Sequence, residues 1–276
     1  FDLNVKLIQK KDWYWDMSVN GYTYANKMLN LPDEYKVSGM PNGNQRIYEG
    51  KDIYRWEMRQ FAGLDEKGNS LWYMDQDILD DAGNVVGVEK VTTGDATEAT
   101  QYLLEKSALP DFTGGLNTTL RWKSLDLTIM TNFQFGGYGY DYDFSAFSSA
   151  NFPMNRLKNY ADAWNPETGK GSAPIWNTND SNINASSDRF LFSKTYFNLR
   201  NITLGYTFPA NWMSKIGIKS VRVYFACDNV FFASKRKGYD PRTSMGGQGA
   251  TVALNSVDGT YYSPIRTTSV GLNINF

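Results

Sequence analysis

Leu125-Asp126-Leu127-Thr128-Ile129-Met130-Thr131-Asn132-Phe133-Gln134-Phe135 sets apolar side chains on odd positions against polar ones on even positions. The exceptions are Met130 and Thr131. Successive residues of a β-strand point to opposite faces, so this stretch makes a strand with one oily and one wet side. Six more stretches carry the same period. Upstream, Phe112, Leu116, Leu120 and Trp122 stand against Asp111, Asn117 and Arg121. Further back are Trp13, Trp15, Met17 and Val19 against Asp16, Ser18 and Asn20, and Phe1, Leu3, Val5 and Leu7 against Asp2, Asn4 and Lys6. Downstream come Ile202, Leu204, Tyr206 and Phe208, then Val221, Val223, Phe225 and Cys227 against Arg222, Tyr224 and Asp228. Val270, Leu272, Ile274 and Phe276 against Ser269, Gly271, Asn273 and Asn275 close the series.

The connections alternate as well. Lys10 to Asp12, Lys123 to Ser124 and Pro209 to Gly217 are short links, whereas 25–110, 138–192 and 233–262 are long and read as structureless. Long structureless loops are rare within a compact soluble domain. Short turns on one rim and long loops on the other are the habit of outer-membrane barrels. Trp13, Trp15, Trp122 and Trp212 fall at or beside the short turns, where an indole can rest in the apolar layer with its N–H in water. The other four tryptophans, Trp56, Trp72, Trp164 and Trp176, lie in the long links. Arg200 takes the lipid-facing parity when counted back from Phe208. It therefore requires either a place at the upper interface or a bulge that shifts the register.

Composition agrees. Among the 276 residues aromatics reach 15%, while mean hydropathy is only −0.49. A barrel strand averages a lipid face with a polar lumen, so its hydropathy cancels. No run approaches the roughly 18 apolar residues of a membrane helix. The net charge of −1 speaks against a nucleic-acid partner. The single Cys227 excludes an intramolecular disulfide, and the absence of His removes the commonest metal ligand and general base. The opening Phe1-Asp2-Leu3-Asn4-Val5 has no basic n-region or cleavage site and reads as the middle of a strand, so part of a longer chain is expected. The sequence thus predicts an all-β, transmembrane antiparallel barrel portion across 1–276, with about seven strands and long extracellular loops.

Four stretches resemble the C-terminal part of SusC/RagA-family TonB-dependent transporters. They are 109–115 (LPDFTGG), 156–164 (RLKNYADAW, with Pro166 and Pro174), 197–209 (FNLRNITLGYTFP), and 221–229 followed by Gly238-Tyr239-Asp240-Pro241 and Tyr262-Ser263-Pro264. The third is the most specific, being similar to the family pattern LRLRNITLGYTLP. The resemblance covers about 109–276. It implies a 22-stranded barrel in the outer membrane, crossed many times, with an N-terminal plug, a TonB-contacting segment and a SusD-like surface lipoprotein as lid. The first strands of that barrel, the plug and the TonB contact would belong to sequence outside this stretch. The terminal strand Val270, Leu272, Ile274, Phe276 resembles the signal read by the barrel-assembly machinery.

Candidate ligand contacts are Tyr138, Tyr140, Tyr142, Trp164 and Trp176, loop aromatics whose rings suit stacking on sugars. The 156–164 stretch should form a short helix ending at Trp164, since Asn165 precedes Pro166. The paired acids Asp141/Asp143 and Asp33/Glu34 read as solvated turn residues rather than a glycosidase pair, and the acidic stretch 75–84 lacks the terminal Glu of a calcium loop. No metal, cofactor or catalytic set is expected. The function expected is TonB-dependent import of a glycan or oligopeptide, without enzymatic activity. A soluble carbohydrate-binding or glycosidase β-domain and a structural barrel scaffold are the alternatives.

Overall fold

The computed structural model describes residues 1–148, 162–176, 182, 185–213, 215, 217–236 and 265–276. In chain order the elements begin with β1 (Asp2–Gln9), β2 (Trp13–Tyr22), β3 (Met40–Asn42), β4 (Gln45–Ile47) and β5 (Arg55–Arg59). Then come β6 (Phe61–Leu64), β7 (Ser70–Leu79), β8 (Val85–Thr93), β9 (Gln101–Ser107), β10 (Phe112–Trp122) and β11 (Leu125–Phe135). The rest are β12 (Tyr138–Tyr140), α1 (Tyr142–Phe147), β13 (Leu191–Ser193), β14 (Tyr196–Thr207), α2 (Ala210–Met213), β15 (Ser220–Ser234) and β16 (Thr267–Asn275). The seven alternating stretches form one antiparallel sheet in the order β1-β2-β10-β11-β14-β15-β16. Among the described residues its outer strands, β1 and β16, pair on one side only.

Residues opposite one another in antiparallel strands share a face, so the registers extend one strand's parity across the whole sheet. One row runs Trp13, Trp122, Leu125, Tyr206, Val223, Leu272. The next is Trp15, Leu120, Leu127, Leu204, Phe225, Val270. Deeper lie Met17, Thr118, Ile129, Ile202, Cys227, Thr268, then Val19, Leu116, Thr131, Leu199, Phe231. Aromatics collect at both ends of this face. Trp13 and Trp122 lie 5.7 Å apart at one end. Phe1, Phe112 and Phe133 stack in series at 6.4 and 6.0 Å at the other. Ten residue steps separate Phe112 from Trp122. At about 3.3 Å per residue that is ~33 Å of strand, which a tilt near 40° turns into a band ~25 Å tall, the height of a hydrocarbon slab.

The opposite face is wet and cross-linked. Arg222 donates to both carboxylate oxygens of Asp126, Nε to Oδ1 at 3.0 Å and Nη2 to Oδ2 at 2.5 Å. The pair spans β11 to β15 over Gly205, where a Cβ would collide with both side chains. Gly271 leaves the same kind of space for the ring of Tyr224. Nearer the other rim Asn198 Nδ2 donates to Asn132 Oδ1 at 2.7 Å, and Asn132 Nδ2 to the Tyr196 hydroxyl at 3.1 Å.

The rim of short turns is stitched together. Lys123 N donates to Asp12 O, Thr207 N to Ser124 O and Lys219 N to Asn275 O, at 2.8, 2.8 and 2.9 Å. Trp122 and the end of β16 therefore share this rim, and the long links leave from the other.

Two expectations meet the structure differently, and the choice left open at Arg200 resolves to the bulge. Leu7 does not hold the apolar parity, because a register shift between Lys6 and Ile8 hands it to Ile8 opposite Trp15. Arg200 sits in a bulge: Met130 and Thr131 face Asn201 and Leu199 with Arg200 left over. Against β15 that single residue answers Asn229 and Val230, and Asn229 takes φ 51°, a left-handed conformation that Asn tolerates. Parity is thereby restored for Leu199 and Phe197. Finally, 25–110 is not structureless. It folds into two small sheets, β3-β4-β5-β9 and β6-β7-β8.

The register makes a direct prediction. Ile129→Arg places a cation on the apolar face at mid-height, at a cost of about 2–4 kcal/mol, whereas Thr128→Arg points into the wet face. Heat-modifiable migration of the membrane-inserted protein should fall sharply for Ile129→Arg and change little for Thr128→Arg. Equal behaviour of the two would overturn the face assignment.

Candidate functional site

Beyond the rim that the long links leave, water is available, so their described residues hold together as a soluble domain does, through buried side chains. In β5, Trp56 and Met58 share one face and Glu57 takes the other. Trp56 and Met58 pack with Leu104 and Ala108 from the same link and with Tyr140 and Phe190 from the next. One core therefore fuses two links into a dome. Several of its polar groups are matched across the links. Trp56 Nε1 donates to Tyr138 O at 3.2 Å, Phe61 N to Asp188 Oδ1 at 2.9 Å and Lys194 Nζ to Ala108 O at 3.2 Å. Burial lowers the Lys194 ammonium pKa. Glu57 accepts from the Tyr48 hydroxyl and pairs with Arg46, each at 2.7 Å. Burial and then the Glu57 carboxylate push the Tyr48 phenol up to about 12.

The third link is tied in by charge. Arg236, just past β15, donates Nε to Asp141 Oδ2 at 2.6 Å and Nη2 to Oδ1 at 2.7 Å, with its guanidinium 4.9 Å from the Phe192 ring centre. Asp141 Oδ1 also accepts from Phe144 N at 2.9 Å at the start of α1. Both partners are largely buried, so losing either would strand a charge.

An open cleft of about 630 Å³ lies in the dome's surface. Phe61, Gly63, Leu64, Asp65 and Glu66 line one side, and Trp164 with 169–172 the other. The indole of Trp164 lies directly over Gly68, which has φ +82° and no room for a Cβ. Trp164 N donates to Ala173 O at 2.8 Å within its own wall, and Ile175 N donates to Gly68 O at 2.9 Å, tying the two walls together. Burial raises the Asp65 carboxyl pKa, but hydrogen bonds from Asn69 and Lys67 outweigh it and hold the group below its usual range. Asp65 is thus occupied within its own turn, leaving Glu66 and Lys170 as the cleft's charged groups. An aromatic platform with a carboxylate and an ammonium can stack on and hydrogen-bond a polar ligand. Among the described residues no group of three or more His, Cys, Asp or Glu is arranged to hold a metal.

The five aromatics singled out from the sequence part company here. Tyr140 is 3% exposed and belongs to the core, against Tyr142 at 4.7 Å and Phe190 at 5.8 Å, so it cannot contact a ligand in this arrangement. Tyr138 is half-buried beside it, with Lys106 Nζ 5.4 Å from its ring centre. Tyr142 and Trp176 are exposed, and Trp164 faces the cleft. Val270, Leu272, Ile274 and Phe276 form one exposed side of the last strand and its end. The helix expected over 156–164 lies outside the described residues up to 161. Of its described end, Asp162 is in a 3-10 turn, while Ala163 bridges Ala173 and Trp164 is not helical. Gly238-Tyr239-Asp240-Pro241 and Tyr262-Ser263-Pro264 also lie outside the described residues. Sequence reading missed the dome core of Trp56, Met58 and Phe190. The spacing of Trp56 and Met58, two positions apart and so on one face of a strand, was the available signal.

No family profile matches the chain. Individual proteins do. TonB-dependent receptor P3 of Formosa agariphila is 24% identical over all of this chain and 28% of its own length. TonB-dependent receptor SusC of Bacteroides thetaiotaomicron is 25% identical over all of this chain and 26% of its own. Among solved structures, that of the RagAB peptide transporter superposes with a TM-score of 0.76 at 25% identity, covering all of this chain and 28% of the other. The chain thus spans about a quarter of the length of the relatives it matches. In sequence and fold it is SusC/RagA-like from end to end, consistent with a C-terminal portion of such a receptor.

Because one core joins two links, damage to it should release both. Trp56→Ala or Phe190→Ala should cost about 3–5 kcal/mol of dome stability while leaving the barrel sheet alone. Limited proteolysis of whole cells should then cut in 25–110 and 136–195 together, with heat-modifiable migration of the receptor unchanged. Cutting confined to one link would contradict a shared core.

Proposed function

We propose that this SusC/RagA-like chain supplies wall, polar lining and outer dome to an outer-membrane importer driven through TonB. The observation carrying the reading is the two-faced, seven-stranded sheet, apolar over a membrane-high band on one side and amide- and hydroxyl-rich on the other. Such a sheet leaves unpaired backbone along β1 and β16, which hydrocarbon does not tolerate, so the rest of the same barrel completes it. The wet face lines a lumen wide enough for a glycan or oligopeptide beyond the reach of porins. A plug and TonB contact would come from the N-terminal region of the whole receptor, and the barrel-assembly machinery would read Val270, Leu272, Ile274 and Phe276. A SusD-like surface lipoprotein would close over the dome. The reading is of binding and passage rather than catalysis, in keeping with relatives that are TonB-dependent receptors; Asp65, Glu57 and Asp141 are engaged in turns and ion pairs.

Among the aromatics, Trp164, Trp176 and Tyr142 remain available for ligand contact, with Trp164 presented in the cleft. Uptake of labelled glycan and peptide pools by cells carrying the intact receptor tests the reading. Receptor-dependent uptake should vanish in a strain lacking TonB; uptake that persists there sinks the proposal. Trp164→Ala with Trp176→Ala should weaken apparent affinity about tenfold, equivalent to ~1.4 kcal/mol of lost stacking. An unchanged half-saturation concentration would remove these two residues from ligand contact.

A further inference from the structure

The rim of short turns carries a charge that strand pairing does not require. Lys10 and Lys11 lie in the β1–β2 turn, Lys123 in the β10–β11 turn, and Lys215 and Lys219 between β14 and β15, with Asp12 the single acid among these turns. The long link 25–110 leans the other way, with fifteen acids against nine lysines and arginines. The basic excess therefore belongs to one rim and not to the chain, whose net charge is −1.

Three of the lysines share one corner. Lys123 N donates to Asp12 O and Lys10 N to Trp13 O, each at 2.8 Å, so the β1–β2 and β10–β11 turns are docked side by side. Next to them Trp13 and Trp122 stand opposite each other on the apolar face, 5.7 Å apart and 43% and 44% exposed. Lys123 Nζ lies 5.6 Å from the centre of the Trp122 ring, which puts this ammonium on the apolar side of the rim and not over the wet face. Lys10, Lys11 and Lys123 are exposed, and among the described residues no carboxylate lies within ion-pairing distance of any of them. Lys123 also takes φ 53° at the first position of a two-residue hairpin turn, where glycine is the favoured residue. A lysine kept in that left-handed backbone is held at a conformational cost, and such costs collect where the side chain is used.

We infer that this corner is a binding site for the phosphate of an anionic phospholipid. Indoles settle at the depth of a lipid's glycerol and phosphate, and each ammonium near that depth adds attraction for an anionic headgroup. The two indoles take the first part of the acyl chains, with Trp15, Leu120 and Leu127 continuing the apolar row below, and the three ammoniums meet the phosphate from the water side. A zwitterionic headgroup brings its own cation into this cluster, where the unpaired lysines repel it, so the corner discriminates by charge. An acidic protein would approach from beyond the end of the sheet; an ammonium resting over an indole on the apolar side fits a lipid instead. That this rim meets a phospholipid leaflet rests on the outer-membrane reading above; the chemistry of the corner does not.

Native mass spectrometry of the intact receptor in mild detergent tests this, with phosphatidylglycerol and phosphatidylcholine of the same chains titrated separately. Phosphatidylglycerol should bind about tenfold more tightly. Lys10→Gln with Lys11→Gln and Lys123→Gln should abolish that preference. Lys123→Gly alone, which suits the backbone, should reduce it with heat-modifiable migration unchanged. Lys27→Gln with Lys36→Gln and Lys67→Gln, the same change of charge in the long link, should leave it as it is. No preference in the unaltered receptor, a preference that survives loss of the three rim lysines, or an equal loss in the long-link variant would overturn the proposal. Displacement of the lipid by inorganic phosphate alone would reassign the corner to free anions and overturn it too. Lipid binding is read without uptake, so TonB-independent uptake would leave it standing, and indifference to lipid charge in a TonB-driven receptor would sink this inference alone.

Discussion

In hydrocarbon a backbone amide has no water to bond, and every other feature of the seven-stranded sheet follows from that shortage. Each strand must pair along its length, so its parity is shared with both neighbours, and one misplaced residue would turn a whole row inside out. The two irregular places in the sheet keep the parity where the sequence alone would lose it. Leu7 is set aside so that Ile8 meets Trp15, and Arg200 is set aside so that Leu199 meets Thr131 and Phe231. A bulge costs ladder hydrogen bonds locally. An arginine at the middle of the apolar face would cost about 2–4 kcal/mol, so the bulge is the smaller loss.

The same constraint explains the glycines of the most specific motifs. Strands stand about 4.8 Å apart, too close for two large side chains to overlap on one face. Where a large group must lie across a neighbouring strand, that strand needs no side chain. Gly205 lets Arg222 reach Asp126 two strands away, and Gly271 lies under Tyr224. On the apolar face Phe112 covers Gly21 and Phe133 covers Gly114. The Gly205 of 197–209 and the Phe112 and Gly114 of 109–115 are thus spacing devices, and their place in the motif is geometric rather than chemical.

Strand number, rim and facing were legible because they depend on a period of two that is written locally in each stretch. Leu127, Ile129, Val223 and Phe225 fall on one face and Asp126, Asn132, Arg222 and Asp228 on the other, as the alternation requires. The bulge at Arg200 was legible only as a choice, because sequence shows that parity fails without showing how. The dome was not legible. Its core joins Trp56 to Phe190 across 134 positions, and no local period links residues from separate links. For the same reason Tyr140 read as a surface aromatic. A tyrosine in a loop looks the same in sequence whether it faces solvent or caps a core, and here burial raises its phenol pKa as it packs on Trp56.

Once the chain leaves the membrane the constraint reverses. Backbone groups can bond to water, so pairing ceases to be compulsory and apolar burial decides what holds. The dome obeys this: Trp56, Tyr140 and Phe190 face inward, and its buried acids Glu57 and Asp141 are matched by Arg46 and Arg236. The β7–β8 arm obeys neither regime. It pairs its backbone as a membrane strand does and exposes its apolar side chains as one does, yet it stands on the watery side. A segment that satisfies its hydrogen bonds but not its hydrophobic surface is complete only when something else covers that surface. The clamp at Lys90, between the rings of Tyr73 and Tyr102, fixes the base of the arm, so among the described residues its apolar side chains stay exposed rather than collapsing onto the dome.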